Sequence, residues 1–169
     1  LMENVIVVSI MLIAGGIIFL KIDHIFQETE IKGESEVSYS SAFKIGLFQT
    51  IAMIPGVSRS AATIIGGLSQ KLNKKTAAEF SFFLAVPTMF AATSFKLLKF
   101  WQDGFTFGSN EITLLVIGNI AAFIVAWLAI KSFISYLTAH GFKIFGYYRI
   151  TIGSILLILY LMGIELTIV

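Results

Sequence analysis

No cysteine occurs among the 169 residues, so neither a disulfide nor a thiolate metal site can be built from this chain, and the redox compartment leaves no mark on it. Charge is scarce too: Asp, Glu, Lys and Arg make up 13% of the chain, about half the share in ordinary soluble domains. A formal net charge of +2 gives no electrostatic basis for binding nucleic acid. There are two histidines, His24 and His140, and two prolines, Pro55 and Pro87. What is abundant is apolar. Hydrophobic residues reach 57%, and the mean hydropathy is +0.89. Disorder needs the opposite balance, and so does an ordinary soluble surface. The chain reads as an all-α integral membrane protein. It starts at Leu1, and no basic segment leads into a short apolar run and a small-residue cleavage site as a signal peptide would. A fragment of a longer protein is therefore expected.

Uncharged runs at 4–20, 80–95, 112–130 and 150–164 each approach the ~20 residues a helix needs to cross a bilayer once their flanks are added. They predict about four transmembrane helices, over 1–20, 76–100, 111–135 and 148–168, with a polar loop at 21–41. A fifth apolar stretch, 45–70, carries one charge, Arg59, and holds Pro55-Gly56 at its centre and Gly66-Gly67 beyond. Proline removes an amide donor and clashes with the preceding turn, while glycine accepts dihedrals other residues avoid. The stretch therefore predicts a helix, a tight turn and a second short helix, a hairpin over 42–70.

Charge chooses between two topologies. If 45–70 spans once, the remaining cations split five to six, which is no bias. If it dips in and returns to the same side, the loops at 21–44, 71–76 and 131–149 share a side with nine cations, and the loop at 96–110 has two. The second arrangement obeys the positive-inside rule. It predicts a re-entrant hairpin entering from the cytoplasmic side, with both chain ends outside.

The polar loop carries Asp23, His24, Glu28, Glu30, Glu34 and Glu36. A solvated linker explains them better than a metal site does, and no metal site is expected in this chain. His140, beside Gly141, reads as interfacial, and Phe80, Phe82, Phe83 and Phe90 as packing and lipid-facing residues.

The chemistry-bearing segment is Pro55-Gly56-Val57-Ser58-Arg59-Ser60-Ala61-Ala62-Thr63, with Gln49 about two helical turns before it. A charge at bilayer depth costs roughly 2.5–3.5 kcal/mol on insertion scales and calls for a partner. The nearest carboxylates, Glu36 and Glu79, are both distant in sequence, so the partner is either on another helix or is an anionic ligand. Ser60 is expected to cap a helix starting near Ala61, whose free amides and dipole would favour an anion beside the guanidinium. Ser58, Ser60 and Thr63 add hydroxyls. A planar fork of donors, three hydroxyls and free amides together describe a phosphate pocket. The plainer alternative is that Arg59 snorkels to the interface and the hydroxyls only cap helices.

The run from Ile54 to Thr63 resembles the second signature of the bacterial undecaprenyl-diphosphate phosphatase family, also called the bacitracin-resistance family. Ala77-Ala78-Glu79-Phe80-Ser81-Phe82-Phe83-Leu84-Ala85-Val86-Pro87 is similar to that family's next block, and Ala42-Phe43-Lys44-Ile45-Gly46-Leu47-Phe48-Gln49 to the one before. The resemblance implies an inverted-repeat fold in a bacterial plasma membrane, with two re-entrant hairpins meeting near the midplane in a pocket open to the outer side. It implies hydrolysis of undecaprenyl diphosphate to the monophosphate, recycling the lipid carrier of cell-wall synthesis and giving bacitracin resistance. The expected partners are an isoprenoid diphosphate lipid and the bilayer, with room for a homo-oligomer. The family's other signature, two glutamates four apart followed by a Ser-Ser-Thr-Gly-His segment, has no counterpart here: Gln49 and Met53 stand at the corresponding places on this hairpin. The chain thus resembles the C-terminal part of the enzyme and is expected to be inactive alone. The divalent cation (Mg2+ or Ca2+) implied by the family would take its ligands from the other half. Within this chain Arg59 and Ser58 are the candidate catalytic residues, and Gly56, Ser60, Thr63 and Gln49 the candidate substrate contacts.

Three rivals stand beside that reading. The acid-phosphatase-like lipid phosphatases need His six residues after the Arg and Asp four beyond, where this chain has Ile65 and Ser69. A secondary transporter also builds anion sites at broken helices. A purely structural membrane subunit would leave the polar nonapeptide without a purpose.

Overall fold

The computed structural model describes residues 5–26, 37–104 and 108–164, and among them every regular element is helical. Six α-helices follow in order: α1 Val5–Ile25, α2 Tyr39–Thr50, α3 Arg59–Ser69, α4 Lys74–Gln102, α5 Ser109–His140 and α6 Lys143–Leu161, with a 3-10 turn at Ile51–Met53 after α2. α1, α4, α5 and α6 are each long and apolar enough to cross a membrane, and the chain is a multi-pass membrane protein. α2 and α3, with 12 and 11 residues, reach only ~18 and ~17 Å at 1.5 Å per residue, short of a ~30 Å hydrocarbon core.

Local chemistry sets the ends of these elements. Ser38 Oγ accepts from the Ser41 amide at 3.2 Å at the start of α2, and Asn73 Oδ1 accepts from the Thr76 amide at 2.7 Å at the start of α4. The Glu111 carboxylate takes the Gly108 amide at 2.7 Å in the first turn of α5, and Gly141, at φ +71°, ends that helix. Pro87 lies inside α4 without ending it.

The helix ends differ from those expected. α1 runs on past Lys21, α5 extends to His140, and α6 begins at Lys143, not at residue 148. The criterion of an uncharged run trims helices wherever a charge lies on the last or first turns, because Lys and Arg stems can lie along apolar surface with their heads at the interface. Residues 165–168 of the last expected span, and 27–36 of the polar loop with Glu28, Glu30, Glu34 and Glu36, lie outside the described residues.

α2 packs on α3, α3 on α4, and α4 on α5, while α1 pairs with α6. The α1–α6 pair is close because glycines face each other. A Cβ on Gly16 would lie 2.8 Å from the Gly146 carbonyl oxygen, and one on Gly146 would lie 2.9 Å from that of Gly16. Small residues at such crossings let membrane helices gain dispersion contacts where no hydrophobic effect operates. Phe19 and Ile22 of α1, Ile64 and Leu68 of α3, Ala78 of α4, Leu137 of α5 and Phe142 join the two groups in one core. The Phe19 and Phe142 rings lie 5.4 Å apart. By contrast residues 110–129 of α5 bury nothing inside the chain.

Candidate anion site at the hairpin tip

The tip is a four-residue turn. The Val57 amide donates to the Ile54 carbonyl at 3.1 Å, with Pro55 second and Gly56 third at φ +86°, the arrangement that a type II turn requires. Gly56 is demanded twice over. Its φ is left-handed, and a Cβ there would lie 2.6 Å from the Val8 carbonyl oxygen and 2.8 Å from Val8 Cα. The tip is thereby wedged against the backbone of α1.

α3 starts two residues earlier than the sequence predicts. Ser58, not Ser60, is the N-cap: its φ and ψ are −73° and 126°, and its Oγ accepts from the Ala61 amide at 3.3 Å. The extended residue that follows Pro55-Gly56-Val57 takes the cap, so Arg59 and Ser60 become the first helical residues. Their amides have no intrahelical acceptor and face out of the N-terminus. Ser58 Oγ and Ser60 Oγ lie 3.1 Å apart.

The helical periodicity then divides the nonapeptide. Ser58 and Ser60 line a cavity of about 180 Å³ between α1, α3, α5 and α6, walled on its apolar side by Phe19, Phe133, Phe142 and Phe145. Arg59 and Thr63, four residues apart, turn instead towards α4. Arg59 Nη1 donates to the Ser81 carbonyl at 3.4 Å, a long bond on a half-buried side chain. Thr63 is 1% exposed. Its hydroxyl pairs with Ser81 Oγ at 2.7 Å and reaches the Arg59 and Ser60 carbonyls at 3.1 Å, so it fastens α3 to α4. Gln49, at the end of α2, has a buried Oε1 without a partner. No carboxylate among the described residues pairs with Arg59; the Glu79 carboxylate sits 3.9 Å from Lys75 Nζ on the exposed first turns of α4. His140 stacks on Tyr136 with centroids 4.5 Å apart, and His24 lies in the exposed last turn of α1.

Sequence reasoning missed Arg149. It was counted among the loop cations, yet it lies within α6, is 9% exposed and donates from Nη2 to the Gly56 carbonyl at 2.9 Å. It also lines the same cavity as Ser58 and Ser60. Removing it from the loop count leaves the charge bias at eight to two. A signal was available: Gly146, Arg149 and Gly153, at spacings of three and four, share one helix face, and these are the buried residues of α6.

The donor set suits an anion and not a metal. Among the described residues no three of His, Cys, Asp and Glu come together, and the groups near the tip are guanidinium, hydroxyl and amide. The divalent cation implied by the resemblance does not fit these residues.

A multi-pass helical membrane protein with a broken hairpin and an anion-suited tip is the class that fold and site define. The chain belongs to the bacitracin resistance protein BacA family, whose model matches residues 1–155. It is 56% identical over 160 residues to the undecaprenyl-diphosphatase of Flavobacterium psychrophilum, covering 95% of this chain and 60% of that protein. It is 54% identical over 170 residues to that of Flavobacterium johnsoniae, covering 100% of this chain and 64% of the relative. The Bdellovibrio bacteriovorus undecaprenyl-diphosphatase matches at 51% over 171 residues, with 100% and 64% coverage. The chain thus spans a little over three fifths of the length of these relatives.

Proposed function

We propose that this chain is the anion-binding part of an undecaprenyl-diphosphate phosphatase of the bacterial plasma membrane. The observation that carries the reading is the start of α3, where the helix N-terminus and two serine hydroxyls open on one cavity, Arg59 stands on the same first turn facing α4, and no carboxylate among the described residues pairs with it. That its relatives are named undecaprenyl-diphosphatases favours a hydrolase over a transporter built on a similar broken helix.

In the proposed reaction a water oxygen attacks the terminal phosphorus and the bridging P–O bond breaks. Undecaprenyl phosphate then leaves with the bridging oxygen, and the proton lost by water goes to a base outside this chain. Arg59 offsets charge developing on the phosphoryl oxygens, which is the largest contribution a positioned cation makes to such transfers. Ser58, Ser60, the Gly56 turn and the first amides of α3 hold non-bridging oxygens. Gln49 offers a carbonyl oxygen to a substrate or partner group. Thr63 keeps Arg59 and α3 in register with α4. Ser58 lacks an adjacent base to activate it as a nucleophile.

The same reading makes residues 39–69 a re-entrant hairpin entered from the cytoplasm, half of an inverted repeat, with the site facing outward. Carboxylates for a divalent cation and the general base would come from the portion of the relatives beyond this chain. That portion, a second copy or lipid would cover the open face of α5.

The test is release of inorganic phosphate from undecaprenyl diphosphate in detergent, where no second compartment exists. It uses residues 1–169 joined to the remaining portion of the Flavobacterium psychrophilum relative. Turnover that disappears with Arg59→Ala is expected. A folded hybrid without turnover, or Arg59→Ala with normal turnover, would contradict the proposal.

A further inference from the structure

Arg149 is the one charged side chain among those described that is buried, and nothing in the proposed reaction uses it. It does not snorkel. Its guanidinium lies over Gly15 of α1, where a Cβ would lie 2.7 Å from Nη2 and 3.1 Å from Nε, and its Nη2 ends on the Gly56 carbonyl at 2.9 Å. Its Nε is buried with no partner, and no carboxylate among the described residues pairs with it. Three elements therefore cooperate in one contact. α6 supplies the guanidinium, α1 supplies a notch that only glycine leaves open, and the hairpin supplies the acceptor.

The acceptor matters because of where it lies. The Gly56 carbonyl belongs to the Gly56–Val57 peptide, one peptide unit before the Ser58 cap. Fixing that oxygen fixes the plane of the peptide, and with it the direction in which Ser58 leaves the turn and α3 begins. A lysine could supply the charge, but it lacks the planar group whose Nε–Nη2 edge lies over Gly15 while Nη2 holds the carbonyl. Nη2 is committed to that backbone oxygen, so this contact holds the turn.

We propose that Arg149 is a positioning residue: through the Gly56 carbonyl it clamps the hairpin tip against α1 and α6 and sets the orientation in which Ser58 and the α3 N-terminus are presented. The clamp is independent of what the tip binds, whereas its effect on turnover rests on the phosphatase reading.

Two measurements separate these levels. In membranes carrying this cysteine-free chain, Val57→Cys is labelled with a small maleimide, with Ala78→Cys as a reference in the core remote from the tip. Arg149→Met should speed labelling at 57 by roughly tenfold over the reference, since the tip opens locally. Gly15→Ala, which displaces the guanidinium and keeps its charge, should speed it by about two- to threefold, and Arg149→Lys should fall between. An unchanged rate at 57 overturns the clamp. So does an equal rise at 57 and 78, which would make Arg149 a general packing residue. In the hybrid enzyme Arg149→Lys should lower kcat by about tenfold or more with KM within twofold; a raised KM at unchanged kcat would mean that Arg149 holds substrate directly, against the proposal. A hybrid inactive even with Arg149 and Arg59 intact would refute the phosphatase reading while leaving the labelling result to decide the clamp.

Discussion

Two arginines flank the same turn, and the protein treats them in opposite ways. Arg149 is enclosed, laid over Gly15 and bonded at 2.9 Å to the Gly56 carbonyl. Arg59, at the start of α3, is half-buried and held by a single 3.4 Å contact to the Ser81 carbonyl. A guanidinium that is enclosed and bonded to backbone serves the fold, whereas a half-buried one beside a helix N-terminus is available to an anion. The difference arises from the elements that carry them. α6 packs its Gly146–Arg149–Gly153 face on α1, so anything on that face is trapped. The first turn of α3 lies at the end of an 11-residue helix, where the side chain has only α4 on one side.

The comparison can be broken most severely at Gly56, because it links the two. Alanine there must hold a left-handed φ, costing about 1–2 kcal/mol, and push against the Val8 backbone, which adds overpacking of about 1–3 kcal/mol. Gly56→Ala should therefore leave little folded protein, as read by size-exclusion in detergent; a monodisperse variant melting with the parent would show that the tip is not wedged on α1. Next in size is the stability difference between the arginines. Arg149→Ala strands the Gly56 carbonyl and vacates buried volume, a loss of about 2–4 kcal/mol, whereas Arg59→Ala should stay within about 0.5 kcal/mol of the parent. Thermal melts of equal size would erase the distinction. The smallest effect belongs to the hydroxyl pair that aligns α3 with α4. A double-mutant cycle on Thr63→Val and Ser81→Ala should give a coupling near 0.6 kcal/mol, and no more than about 1.7 kcal/mol, the range for polar contacts between membrane helices. A coupling of zero would mean that the 2.7 Å contact does not fasten the two helices.

Much of this was legible in the residues. Long uncharged runs marked the four spans, because the bilayer leaves helices few alternatives, and Pro55-Gly56 marked the break, because proline ends a helix and glycine alone accepts the turn's φ. The polar nonapeptide stood out against its apolar surroundings. What escaped was whatever depends on neighbours remote in sequence. Arg149 looked like one more interfacial cation: Gly146 and Gly153 on its helix face hint at close packing, but the carbonyl that receives it lies 93 positions away. The division of the nonapeptide escaped as well. Moving the cap from Ser60 to Ser58 shifts the helix start by two residues, about 200° around the axis at 100° per residue. That shift goes with which hydroxyls line the cavity that Arg149 also lines and which meet α4.

The most direct test of the account is the Arg59→Lys variant of the hybrid enzyme, assayed for phosphate release from undecaprenyl diphosphate and for melting temperature on the same preparation. With Arg59 as the cation that meets the substrate and Arg149 as the brace, the account predicts a kcat lower by about 10²-fold and a melting temperature unchanged within about 2 °C. Turnover within twofold of the parent, or a loss of activity matched by a loss of folded protein, would contradict it.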